Sequence, residues 1–327
     1  MPTTPELRAQ LIGPGGPFEV IRETVDGVEM WVYKDRLPHL RAVAELAAAR
    51  GDDPAEPFIV YGNRRIGFGE FFRLANSVSH QWIDDFGLTH GDRVAVLSAN
   101  NPEWCLTFWA TVNAGAVLVG LNGWWKTDEI LYGLEDSGAK ILVADRKRFD
   151  RVADHLGACP SVEAVFLIDA DPGEYAGTGT DRRLHRFGEL TTGPSDQFPT
   201  VPIDERDYAV IFYTSGTTGR PKGAISSHRN MIANLQNTIY ATVLGGMLEV
   251  EGNTTPQPEP RRTGQTVSLL TSPLFHVAGC HSSLVVGTLG GVRLVIPEGK
   301  FDPEQALRLI EQERVTIWAT VPTMVWR

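Results

Sequence analysis

The sequence predicts an α/β fold in which repeated βαβ units form parallel-rich sheets flanked by helices. Two observations carry that prediction. Short apolar runs at residues 93–98, 116–119, 141–143 and 164–168 read as buried strands, and a helix expected over 102–113 separates the first two. Strand, helix, strand at this spacing is the pattern of a parallel sheet with helical crossovers. The composition agrees. With 42% hydrophobic and 21% charged residues over 327 positions, the chain can bury a large core and is not disordered.

In chain order, residues 1–36 read as an N-terminal extension with a Gly-Pro-rich opening. Gly62-Asn63 between residues 58–61 and 64–66 is a two-residue hairpin signal. Phe71, Leu74, Ala75, Val78, Trp82 and Ile83 then recur at helical spacing. After the strand at 93–98, Asn101 offers an N-cap with Pro102 at the first helical position, and Gly115 ends that helix. Trp124-Trp125 reads as core or interface. Residues 169–199 are polar and read as a connecting loop, and 207–213 as a further buried strand. Residues 249–265, with Pro256, Pro258 and Pro260, read as a surface loop. Strands are expected at 269–275, 292–296 and 315–320. A helix starts at Asp302-Pro303, with Gln305 in the capping-box position. The expected division is a first α/β subdomain at 37–200 and a second at 201–327.

The formal charge of −10 and pI of about 5.3 exclude nucleic acid as an expected partner. Cys105, Cys159 and Cys280 are too far apart for a disulfide framework or a zinc site and fit a reducing compartment. The N-terminus shows no apolar h-region. The uncharged stretch 105–121, which contains Thr107, Thr111, Asn113 and Gly115, reads as a buried helix running into a buried strand rather than a membrane span. A cytoplasmic protein is expected, at most peripheral to a membrane, with homo-oligomerisation left open.

The most distinctive segment follows the strand at 207–213: Thr214-Ser215-Gly216-Thr217-Thr218-Gly219-Arg220-Pro221-Lys222-Gly223. Gly216, Gly219 and Gly223 allow successive N–H groups to form an anion nest. Thr214, Ser215, Thr217 and Thr218 add hydroxyl donors, and Lys222 adds a mobile point charge. Arg220, His228 and Arg229 make the neighbourhood locally cationic. A mononucleotide P-loop needs Gly-Lys followed by Ser or Thr at a helix start. Here Pro221 precedes the lysine and Gly223 follows it, so an unrelated kinase or NTPase is disfavoured.

The string Tyr213–Gly223 resembles the signature loop of the adenylate-forming superfamily, which includes acyl- and aryl-CoA synthetases, luciferases and peptide-synthetase adenylation domains. Gly91-Asp92-Arg93-Val94-Ala95, Asn100-Asn101-Pro102-Glu103-Trp104, Ala114-Gly115-Ala116-Val117 and Asp136-Ser137-Gly138-Ala139-Lys140 are similar to its first strand–helix units. Pro273-Leu274-Phe275-His276-Val277-Ala278-Gly279 resembles the acyl-site motif of its CoA ligases.

The resemblance implies joining of a carboxylate to the α-phosphate of ATP, then attack by the thiol of CoA. It implies that Thr214, Ser215, Gly216, Thr217, Thr218, Gly219 and Lys222 hold ATP phosphates, and that Thr214 touches Mg2+. His276 would meet the substrate carboxylate or gate the acyl tunnel. Phe275, Val277, Gly279 and Cys280 would line the acyl pocket. Thr320-Val321-Pro322-Thr323 is similar to a pocket-lining segment.

The family's later Tyr-Gly-x-Thr-Glu and Thr-Gly-Asp patterns, and its C-terminal lid domain with a catalytic Lys, do not occur in residues 1–327. The resemblance therefore implies that this polypeptide alone is inactive. Two alternatives stay open: transfer of the acyl group to a carrier protein, and a non-catalytic, truncated nucleotide-binding or interaction protein.

Overall fold

The computed structural model describes residues 4–177, 183–214, 219–252 and 264–326, without side chains at 249–252. The chain opens with α1 (Thr4–Ile12) and the antiparallel pair β1 (Val20–Val25) and β2 (Val28–Tyr33). It continues through α2 (Leu40–Ala48), β3 (Ile59–Tyr61), β4 (Arg64–Ile66), α3 (Phe68–Asp84), β5 (Arg93–Leu97) and α4 (Pro102–Asn113). There follow β6 (Val117–Gly120), α5 (Thr127–Ser137), β7 (Ile141–Asp145), α6 (Arg146–Phe149), β8 (Ala164–Ile168) and β9 (Leu184–Arg186). The next elements are β10 (Tyr208–Thr214), β11 (Lys222–Ser227), α7 (His228–Gly252), β12 (Val267–Leu269) and α8 (Val277–Gly279). The described chain closes with α9 (Val286–Gly290), β13 (Arg293–Ile296), α10 (Pro303–Gln312) and α11 (Pro322–Val325).

The larger sheet has seven strands in the order β11-β10-β6-β5-β7-β8-β9, parallel except for β11. Its residues alternate between two cores. Val94, Val96, Leu118, Ile141, Val143 and Phe166 face α3 and α4 in one core. Ala95, Leu97, Val119, Leu142, Ala144 and Val165 face α5 and Phe149 in the other. Such period-2 segregation is what a strand buried on both faces requires. The smaller sheet, β12-β13-β3-β4, packs Ile59, Ile66, Leu294 and Ile296 into the α3/α4 core from the far side. Its other face covers Val60, Val267, Leu269 and Val295 with Ala306 of α10. The result is a layered α-β-α-β-α arrangement. Strands from both sides of residue 200 enter both sheets, so the sheets do not divide at that position.

Sequence patterning located most elements that position the site. Asn101 caps α4, its side-chain oxygen accepting from Trp104 N at 2.7 Å, with Pro102 next. Gly62-Asn63 joins β3 to β4. Asp302 caps α10 by accepting from Glu304 N and Gln305 N, but Gln305 Oε1 has no partner, so the reciprocal half of the capping box is missing.

The 1–36 extension is folded and docked, and three other expectations need correction. Leu7 and Leu11 of α1 pack with Leu244 of α7, and Tyr33 donates to Asn237 Oδ1 at 2.8 Å. An ion cluster pins the β1–β2 hairpin: Arg36 reaches Glu205 at 2.9 Å and Glu23 at 3.1 Å, and Arg229 reaches Glu23 at 3.0 Å. The 169–199 connector contains β9 and short 3-10 turns. The 269–275 strand stops at Leu269, because the chain turns away toward Pro273, which has no N–H for a ladder. The 315–320 strand is reduced to one bridge, Ser268 to Ile317, because Thr316 Oγ1 accepts from Val267 N at 3.0 Å and takes the ladder position. Residues 253–263 of the 249–265 loop lie outside the described residues, and 249–252 end α7.

Replacing Asn101 by Ala removes the α4 cap and the bond from Asn101 Nδ2 to Ser98 Oγ at 2.9 Å. We expect a loss of about 1–2 kcal/mol. It should appear as a lower urea midpoint with an unchanged slope of free energy against denaturant. An unchanged midpoint would show that the cap contributes nothing.

Candidate functional site

In the run β6-β5-β7-β8-β9 the chain begins at β5, steps to β6 on one side and crosses back to β7 on the other. Connections leave the carboxyl ends of β5 and β7 toward opposite faces, which opens a crevice there; open α/β sheets place ligands at such points. A crevice of about 540 Å3 occupies this position. Its walls include Ser98, Ala99 and Asn100 after β5, Arg148 after β7, Trp124 after β6, and Leu270–Pro273 with Phe275 from the exit of β12. Lys300, Phe301, Val321 and Met324 close the far side.

A polar seam ties these walls together. The Asn100 side chain donates to Ser272 O at 2.8 Å and accepts from Leu274 N at 2.9 Å, so the end of β5 holds the segment leaving β12. Asp145 accepts from Ala99 N at 2.8 Å and pairs with Arg148 at 2.5 Å. The Arg148 guanidinium also donates to Gly123 O at 3.1 Å. Trp124 is 70% exposed and stands edge-on to Phe275, with ring centroids 5.3 Å apart. Its neighbour Trp125 is buried against Tyr213.

β10 lies beyond β6, about 10 Å from β5 at normal strand spacing. Its last residue, Thr214, is in register with Lys222, the first residue of β11, and Thr214 Oγ1 donates to Lys222 O at 3.4 Å. The two side chains leave one face of the hairpin together, and Lys222 is exposed. Gly219 has a φ of +98°, a conformation that favours glycine. Ser215, Gly216, Thr217 and Thr218 lie outside the described residues.

The other face of β10 meets α5. Tyr213 donates to Asp136 Oδ2 at 2.7 Å and Gly133 O at 3.2 Å, and burial followed by the Asp136 carboxylate raises the phenol pKa. Gly223 stands opposite Tyr213, where a Cβ would come within 2.9 Å of Ile211 Cγ2.

The cationic neighbourhood read from the sequence is smaller than expected. His228 is fully buried, its Nδ1 accepting from Leu40 N at 3.2 Å, and burial followed by the nearby His39 lowers its pKa to about 4. Arg229 is neutralised by Glu23 and Glu205. Lys222 and Arg220 remain.

His276 caps the short α8, its Nδ1 accepting from Ala278 N at 3.3 Å, which leaves Nε2 as the donor of the neutral ring. The ring is exposed. Of the residues expected around an acyl group, Phe275 lines the crevice described above, whereas Val277, Gly279 and Cys280 do not. Val277 is exposed and Cys280 is fully buried in the core. Gly279 lies so close to the Pro273 carbonyl that a Cβ would sit 2.2 Å from its oxygen.

Reading by motif missed Arg148, Lys300, Phe301 and Met324. Each lies in a segment without a distinctive spacing. It also assigned nothing to His281, which starts one turn after His276 in a π-helical stretch, Cys280–Val285. His281 is buried, packs against Phe212 and leaves Nε2 without a partner. Burial, followed by His276, lowers its pKa to about 4.

That depression has a sign. The folded ring resists a proton that the unfolded chain accepts below about pH 6.5. The stability at stake is intact above that pH and drains away as pH falls toward about 4. The unfolding free energy of the wild type should therefore fall relative to that of His281→Gln as pH drops across this window, by at most about 1.4 kcal/mol per pH unit. Denaturant melts at several pH values measure it, and a pH-independent difference would show that the ring titrates normally in the fold.

Residues 46–327 match the family of AMP-binding enzymes. Feruloyl-CoA synthase from Amycolatopsis sp is 31% identical over 252 residues, covering 77% of this chain and 42% of that protein. 4-Coumarate–CoA ligase CCL1 from Humulus lupulus is 29% identical over 243 residues, covering 74% and 40%. The chain thus spans well under half the length of these curated relatives. Among solved structures, the N-terminal domain of FACL13 from Mycobacterium tuberculosis is similar with a TM-score of 0.69 at 24% identity, covering 88% of this chain and 64% of that one. MatB from Rhodopseudomonas palustris gives 0.63 at 27% identity, covering 88% and 50%. With a match that runs through both sheets and the Thr214–Lys222 hairpin, the chain belongs to the AMP-binding enzyme family.

Proposed function

We propose that these residues form the triphosphate- and acid-binding part of an ATP-dependent ligase that activates a hydrophobic carboxylic acid as its adenylate and passes it to CoA. One observation carries the reading. The Thr214–Lys222 hairpin end and the crevice at the β5/β7 switch point open on the same carboxyl edge of one parallel sheet. The loop offers a hydroxyl, a glycine-permitted turn and an ammonium for phosphate oxygens. The crevice offers Trp124, Phe275, Phe301 and Met324 to an apolar acid, with Lys300 for its anionic end or for a phosphate of CoA. The relatives named for feruloyl and coumaroyl thioesters favour an acid of aromatic or comparable apolar bulk. His276 Nε2 is the donor we assign to the carboxylate.

Mg2+ fits this site in a limited way. Among the described residues no cluster of three or more His, Cys, Asp or Glu could hold a metal. The Thr214 hydroxyl, held only by a long 3.4 Å bond, can turn outward as a single oxygen ligand. Mg2+ bound mainly by water and substrate phosphates needs no more from the loop, and there it would neutralise phosphate charge. Among the described residues no helix is long and apolar enough to cross a membrane. Cys105, Cys159 and Cys280 are free and buried, which suits a reducing cytoplasm.

Calorimetric titration of the chain with ATP and Mg2+, and separately with AMP, tests the phosphate assignment. ATP should bind more tightly than AMP. Lys222→Ala and Thr214→Ala should each bring ATP about tenfold closer to AMP, as loss of one charged or hydroxyl phosphate contact does. ATP affinity unchanged in both variants would remove the hairpin from the site.

A further inference from the structure

Both arms of the phosphate loop are tied to one helix. On the outgoing arm, Tyr213 donates to Asp136 Oδ2 at 2.7 Å and to Gly133 O at 3.2 Å. On the return arm, the Arg220 guanidinium lies over the Tyr132 ring, 5.2 Å from its centroid. Tyr132 in turn donates to Asp136 Oδ1 at 3.3 Å. Tyr132 and Asp136 are one turn apart on α5, so both carboxylate oxygens of Asp136 are used, one for each tyrosine. The two tyrosine rings also meet edge-on, 6.4 Å apart.

This assembly lies on the face of β10 opposite Thr214. Ile211 and Tyr213 pack toward the α5 core, while Phe212 belongs to the core on the other side. Thr214 follows Tyr213, so its side chain and that of its register partner Lys222 leave the face that α5 does not touch. Gly223, opposite Tyr213, leaves room for Ile211 on this face, where a Cβ would come within 2.9 Å of Ile211 Cγ2. Among the described residues Arg220 forms no ion pair. A stacked guanidinium keeps its in-plane N–H donors free, so the contact holds the arm without consuming the charge.

We propose that Tyr132 and Asp136 of α5 are positioning residues for triphosphate binding: through Arg220 and Tyr213 they fix the two ends of the loop and so hold Thr214 and Lys222 in register to receive phosphate. The proposal rests on the phosphate assignment made above. A loop whose ends are free must lose that freedom when the nucleotide binds, and a loop braced in advance does not. Neither residue touches the nucleotide in this scheme.

The test compares ATP with AMP, since AMP lacks the phosphates that the loop would hold. Tyr132→Ala should weaken ATP binding about two- to fivefold, the effect of losing one exposed cation–π contact. Asp136→Ala should weaken it by about twofold to tenfold. AMP affinity should not change in either variant. Tyr132→Phe keeps the ring under Arg220 and should bind ATP nearly as the wild type does. Arg220→Ala should weaken ATP binding at least as much as Tyr132→Ala, since it also removes an uncommitted charge, and the double variant should lose no more than Arg220→Ala alone. Tighter ATP binding in Tyr132→Ala would mean that α5 holds the loop away from the ligand, and would overturn the proposal. So would unchanged ATP affinity, additive losses in the double variant, or equal losses for ATP and AMP, the last marking a merely structural role. If the wild-type chain does not prefer ATP to AMP, the phosphate assignment fails and this inference fails with it. If that preference holds and the α5 variants leave it intact, only the inference fails.

Discussion

The mouth of the crevice depends on the side-chain amide of Asn100. β12 stops at Leu269, and the segment that follows leaves its sheet with backbone groups that no strand can pair. Asn100 meets two of them, donating to Ser272 O and accepting from Leu274 N. Among side chains of this size only a carboxamide can do both: an aspartate accepts and cannot donate, and a leucine of similar bulk would leave both backbone groups unpaired at a cost of about 1–3 kcal/mol each. The bond pair also joins the end of β5 in one sheet to the exit of β12 in the other. Both sheets share the α3/α4 core, and this bond pair adds a polar tie between them at the mouth of the crevice.

From that point the polar groups continue without a break. Asn101 donates to Ser98, Asp145 accepts from Ala99, and Arg148 joins Asp145 to Gly123 O. These contacts occupy the place where the β5 and β7 connections diverge. A crevice at such a place would otherwise expose strand-end groups to whatever entered. Here most of them are already bonded to one another, so a ligand meets aromatic walls and a few cations. That favours an amphiphile over a richly hydrogen-bonding molecule.

How much of this could be read from residues alone follows from the range of the interactions. The β5–α4 unit was legible because its signals are local: an apolar run, Asn101 as cap and Pro102 after it. The β10 strand and the return of the chain as β11 were legible because a buried apolar run is followed by glycines that permit a reversal. The strands expected at 269–275 and 315–320 failed because they have strand-like composition, whereas pairing depends on a neighbour. At Thr316 a hydroxyl displaced the ladder, and nothing in the local sequence signals that. The N-terminal residues looked like an extension because their partners are distant: Leu244, Asn237, Glu205 and Arg229 all lie some two hundred positions away. The same distance misled the charge reading. His228 and Arg229 stand beside the loop in sequence, but burial strips one of charge and two carboxylates neutralise the other.

The electrostatics of the site follow from that last point. The protein carries a formal charge of −10, and its proposed ligands are anions, so the field at long range opposes their approach. Attraction must come from cations whose charge is not already committed. Arg148 pairs with Asp145, and Arg229 is enclosed by Glu23 and Glu205. Among the described residues, Lys222, Arg220 and Lys300 form no ion pair, and they stand at the loop and at the crevice. Exposed opposite charges attract over only about 8–10 Å at physiological salt. These three groups therefore act once the ligand has arrived, and they act on the part of it that lies beside them. A site arranged in this way gains little speed of capture from its charges. It gains discrimination among the ends of a molecule, since an anionic group would be drawn to the free cations and an apolar portion left to the aromatic walls.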